Sequence, residues 1–215
     1  MTNTEDSSMA ADSEFYKKAA AHVEPILQYL DTGDTIVNKE KIVELFVKLW
    51  DNECGEQLDA DTQRLTTLAL FMYTSHNILE DHNIRIDRAR QHIIQALHEW
   101  MKPKLDKAIA EEKTSENPFK TFVDKSQNTF DDSFSWKHFM PNIKKTNETE
   151  WNFKFKKCWF AEFFIRFGRV DYIQTACEFD KIPWEARKDY VDLKLTNLFA
   201  KLGTLCQFKY TPAKN

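Results

Sequence analysis

Glycine is nearly absent, with 4 in 215 residues, and proline is sparse at 6. A chain so poor in permissive backbone carries no glycine-rich phosphate loop and no dinucleotide-binding fingerprint, and its serines sit in no nucleophile-elbow motif. No apolar run is long enough to span a bilayer, so no membrane partner is expected. Met1 to about Ser13 is polar and acidic where a secretory signal would be basic and then apolar, which makes the cytoplasm the expected compartment. A net charge of −4 and a pI near 5.9 give no global positive field, which argues against a nucleic-acid partner.

The four cysteines, at 54, 158, 177 and 206, include no close pair. In the cytoplasm they are expected as reduced thiols, and their spacing gives no support for a structural metal. His76, His82, His92 and His98 do not change this, because His92 and His98 are six apart and leave a helix in different directions. The sequon Asn147-Glu-Thr149 reads as chance without a secretory route. Arg85, Arg88 and Arg90 read as a solvated helix face.

What the chain does have is aromatic residues, 17 of them phenylalanine, and clear periodicity. Residues 1–13 have almost nothing to bury and read as a tail, and 14–215 as a single domain, helical over 14–125 and α+β over 126–215. Helical spacing predicts helices from Phe15 to Leu30, Lys39 to Asn52, Asp61 to Glu80 and Ile86 to Ile109, with a kink or an end at Pro25 and Pro103, and a short helix after Asn117-Pro118. The period then becomes two. Trp151, Phe153 and Phe155 alternate with polar residues, as do Val191, Leu193 and Leu195, and Cys206, Phe208 and Tyr210. The expected fold is α+β and predominantly helical, with a small C-terminal antiparallel sheet of about three strands.

Chemistry concentrates around three of the cysteines. In a helix over 170–181, Ile173, Cys177 and Asp180 fall at i, i+4 and i+7 and share a face, so a thiol and a carboxylate can meet. A carboxylate can move a proton and a thiolate can attack an electrophilic carbon. Cys158 stands where a strand hands over to a helix, a position whose dipole favours the thiolate, with Glu162 one turn later. Cys206 is in phase with the buried face of its strand. The plainer account is that all three are small core residues, that Asp180 ends a helix and that Glu162 is solvated.

The run Cys158-Trp-Phe-Ala-Glu-Phe-Phe164, then Cys177-Glu-Phe-Asp180, Val191 to Thr196 and Ala200-Lys-Leu-Gly-Thr-Leu-Cys-Gln-Phe-Lys-Tyr210 resembles, in order and spacing, the L-2-amino-thiazoline-4-carboxylic acid hydrolase family. The resemblance implies hydrolytic ring opening, or a diverged ring opening or closing reaction, on a small heterocyclic or amidine-like substrate, with no cofactor; the family's name-giving reaction opens L-2-amino-thiazoline-4-carboxylate to N-carbamoyl-L-cysteine. It implies Cys177, Asp180 and Cys158 as catalytic candidates and Glu162, Cys206 and Thr196 as substrate-binding candidates. The family pattern has an Arg-Thr pair where this chain reads Leu195-Thr196, and an Asp where this chain has Gln207. If that arginine holds a substrate carboxylate in relatives, this chain takes a less acidic molecule. The partner expected is a small-molecule substrate, with room for a homo-oligomer. Two rival readings are a non-catalytic ligand-binding or interaction module on the same scaffold and an all-helical adaptor.

Overall fold

The computed structural model describes residues 13–33, 36–201 and 203–214. Of the expected N-terminal tail only Ser13 falls within them, and it caps the first helix by accepting from the Tyr16 N–H at 3.0 Å. That helix, α1 (Glu14–Leu27), runs through Pro25. It is followed by α2 (Lys39–Asn52), α3 (Ala60–Asp81) and α4 (Ile86–Lys113). From Leu65 to Leu79 only Tyr73 and Asn77 are not buried, because the run Leu65 to Met72 is apolar or Thr on every side. A helix with no polar stripe packs only as a central one, and α1, α2 and α4 surround α3. Pro103 does not end α4. It lies on the exposed side of the helix.

After α5 (Pro118–Asn128) and two single-turn helices, α6 (Phe130–Ser133) and α7 (Trp136–Phe139), the chain enters β1 (Pro141–Asn147) and β2 (Glu150–Phe155). Then come α8 (Trp159–Arg166), α9 (Ile173–Phe179), α10 (Ile182–Glu185), β3 (Val191–Thr196) and β4 (Cys206–Pro212). The sheet is antiparallel in the order β1-β2-β4-β3. It thus has four strands, one more than the alternation predicts. The added strand, β1, pairs only with β2, has a register irregularity between Ile143 and Lys145, and is mostly exposed. An edge strand in water needs no apolar face, so it leaves no period-two signal.

Register fixes which side chains face inward. Phe153 lies opposite Phe208 and Phe155 opposite Cys206, while Leu195 lies opposite Phe208 and Leu193 opposite Tyr210. This face forms an aromatic layer: Phe153 and Phe208 stack at 5.1 Å, and Trp151 and Tyr210 at 5.3 Å. Phe122 of α5 and Phe130 of α6 meet it edge-on. Truncating one such buried ring costs about 3–5 kcal/mol. No helix among the described residues is long and apolar enough to cross a membrane.

Candidate functional site

Gly168 breaks the helical run after α8 with a left-handed φ of 70°. The chain turns there, so α8 and α9 pack side by side. Cys158 sits at the N-cap of α8, Cys177 in the last turn of α9, and Asp180 at the C-cap of α9. Cys206 opens β4 on the inner face of the sheet. A 3₁₀ turn, Phe199–Lys201, packs against α9. Its loop depends on Gly203, where a β-carbon would stand 2.4 Å from the Asn197 carbonyl oxygen.

These elements gather one carboxylate and three thiols. Asp180 is half-buried, and no hydrogen bond or ion pair from the described residues meets its carboxylate; its N–H donates to the Ala176 carbonyl at 3.0 Å. Burial without a partner raises its pKa to about 7. Burial, reinforced by the nearby Asp180 charge, pushes Cys177 up to about 12, while the Ala200 N–H and Lys181 pull the other way. Cys206 rises to about 11 for the same two reasons, against the pull of the Phe199 N–H. Cys158 is also raised, first by burial and then by Asp180, Cys206 and Cys177. Its neighbour, the Ala161 N–H, favours the thiolate but makes no side-chain cap with it. The expectation that the helix start would activate Cys158 therefore fails, because desolvation of a thiolate outweighs one backbone dipole.

Two other predicted residues stand apart. Glu162 is exposed and paired with Lys157 at 3.2 Å. Its one-turn offset from Cys158 does not bring them together, since Cys158 as N-cap is not itself helical. Thr196 lies opposite Gln207, on the face of the sheet away from Cys206, Phe208 and Tyr210. Conversely, Tyr210 joins the group: burial first, then the Asp180 charge, raises its pKa, and Arg187 opposes them. Its phase with Cys206 was the available signal. Leu195, where the family pattern has arginine, faces inward opposite Phe208. Cys54 is exposed in a distant turn. Among the described residues, no group of three or more His, Cys, Asp or Glu is arranged to hold a metal ion.

A buried ion pair supports the site. Arg187 donates to both Glu112 oxygens at 2.8 Å and to the Pro183 carbonyl, and the Tyr190 hydroxyl donates to Glu112 as well. This ties α4 to the segment between α10 and β3. His76, fully buried, has a structural place too: it lies 2.8 Å from the Thr175 hydroxyl and stacks on Tyr172.

The sequence pattern described as L-2-amino-thiazoline-4-carboxylic acid hydrolase matches residues 68–210, about two thirds of the chain. The chain belongs to that family. The match runs from within α3 into β4, and so takes in Cys158, Cys177, Asp180, Cys206 and Tyr210. No curated protein matches the chain. Among solved structures, an Fe(II) unliganded H-NOX protein from K. algicida superposes with a TM-score of 0.40 at 9% identity, over 92% of this chain and 97% of that one. A point mutant of it gives the same values.

Proposed function

We propose that this family member adds water to the amidine-like carbon of a small ring and releases a ring heteroatom, with Asp180 as the general base. The observation that supports this reading is the Asp180 carboxyl, without a partner among the described residues and close to three thiols, within the stretch that the family's pattern matches. A carboxyl that titrates near pH 7 is matched to both halves of such a reaction. Ionised, it takes a proton from water as the water oxygen bonds to the ring carbon. Protonated, it returns that proton to the leaving sulfur or nitrogen as the ring bond breaks.

The thiols serve differently. Cys177 holds its proton more tightly than Asp180, because burial and then the Asp180 charge both disfavour its thiolate. Water activation therefore needs less than covalent attack. In this reading Cys177 and Cys158 act as neutral S–H groups against the ring, Cys206 forms the wall behind them, and Glu162 and Thr196 take no part. With Asp180 as the group's only carboxylate among the described residues and Leu195 in the arginine position, a substrate without its own carboxylate is the better fit.

Turnover of 2-amino-thiazoline-4-carboxylate and of 2-aminothiazoline tests this. Asp180→Asn is expected to lower kcat by roughly 100-fold or more, with Cys177→Ser and Cys158→Ser retaining most of it. Full turnover in Asp180→Asn would remove Asp180 from the mechanism. A ligand that raises Tm with no turnover at all would favour a binding module on the same scaffold.

A further inference from the structure

A groove of about 590 Å³ opens beside the exposed sheet edge, lined by Phe130, Ser135, Trp136, Pro141 and Ile143 with two polar neighbours. Trp136 and Ile143 are 62% and 54% exposed, so apolar surface meets water here. The Ser135 hydroxyl lies 2.7 Å from His138 Nδ1. His138 is buried, and its Nε2 lies 3.0 Å from Thr62 Oγ1, on α3. Thr62 Oγ1 lies 2.8 Å from Asp59 Oδ2.

The proton positions follow from counting donors. Asp59 also accepts from Lys137 at 2.6 Å and from the Thr62 N–H at 3.0 Å, contacts that hold its carboxyl well below the usual range. An ionised carboxylate only accepts, so the single hydroxyl proton of Thr62 belongs to Asp59. Thr62 Oγ1 must then accept from His138 Nε2–H, as it does from Lys137 at 3.2 Å. That leaves the imidazole lone pair on Nδ1, facing the Ser135 O–H. Burial, then Lys137, lowers the His138 pKa against the opposing pull of Asp59 and Asp61, so the ring is a neutral base at pH 7.

We propose that Ser135, with His138 as its base and Thr62 and Asp59 as the relay that orients it, is a second catalytic centre that hydrolyses small esters with an apolar acyl group. Ser135 Oγ attacks the ester carbonyl carbon while its proton passes to His138 Nδ1. The tetrahedral adduct breaks its bond to the alcohol oxygen, which leaves with that proton, and an acyl ester remains on Ser135. Water then gives a proton to Nδ1 and its oxygen to the acyl carbon; Ser135 departs, recovers that proton, and the carboxylic acid is released. At each stage the imidazolium is stabilised through Nε2–H, Thr62 and Asp59. The walls formed by Phe130, Trp136 and Ile143 suit the acyl chain.

The intact chain is exposed to p-nitrophenyl butyrate and, separately, to a fluorophosphonate, with peptide mass spectrometry to locate the adduct. The expected result is an adduct on Ser135 and hydrolysis that falls by roughly 100-fold or more in Ser135→Ala. Thr62→Val should shift the pH midpoint of the rate, and Thr62→Ser, which keeps the hydroxyl, should restore it. No adduct on Ser135 after exhaustive exposure, or Ser135→Ala hydrolysing as fast as the parent, would overturn the proposal and leave the contact as a structural hydrogen bond only.

Discussion

Glu112 is a buried carboxylate and Asp180 a half-buried one, and their surroundings are opposite. Glu112 is 1% exposed and receives two guanidinium N–H groups and a phenol. Asp180 receives nothing from the described residues, and its neighbours are thiols that hold their own protons. Water can be replaced around a charge by fixed donors, and Glu112 shows the result: a rigid tie between α4 and the chain entering β3. Where no donor is supplied, the group's charge is left to be settled by pH or by a ligand. Only the second arrangement is of use to a reaction that moves a proton.

Breaking the satisfied pair should have the largest effect. Arg187→Met strands Glu112 in the core and is expected to cost about 3–5 kcal/mol in urea unfolding, whereas Glu112→Met with Arg187→Met should recover most of that loss. If the single variant unfolds like the parent, the pair is not the tie described.

Asp180 should respond in the other direction. Between about pH 4 and pH 7 the folded chain keeps a proton on Asp180 that the unfolded chain has already released, so this group costs stability progressively as pH rises. Asp180→Asn removes that cost. It should be more stable than the parent at pH 8 by roughly 4 kcal/mol, with the gap closing toward pH 4. The smallest effects belong to the residues the fold leaves outside. Glu162→Gln and Thr196→Val should each change stability by less than about 0.5 kcal/mol, and leave turnover at the Asp180 site unchanged.

The longer helices and three of the four strands were legible from apolar spacing, and α2 begins and ends where the spacing of Ile42, Phe46 and Trp50 predicts; α3 is buried on nearly every side and so has little period in its burial, and the single turns α6, α7 and α10 are too short to show one. β1 was not, since an exposed edge imposes no pattern on Lys144, Lys145 and Thr146. Helix-face arithmetic brought Cys177 and Asp180 together, and strand phase turned Cys206 inward. The same phase put Thr196 on the wrong side and should have nominated Tyr210. Desolvation is not local to any motif, so the high thiol pKa values could not be read from the cysteines' positions. The contact of His138 with Thr62 joins residues 76 positions apart and leaves no mark in either one's neighbourhood.

The most direct measurement is the titration of the Asp180 carboxyl itself, by carbon-detected NMR on protein labelled at aspartate side chains, with Asp180→Asn to assign the signal. A midpoint near 7 is expected, since burial without a partner raises the group that far. A midpoint in the ordinary carboxylate range, near 4, would mean that donors or water meet this group after all, and would remove the base from the proposed reaction.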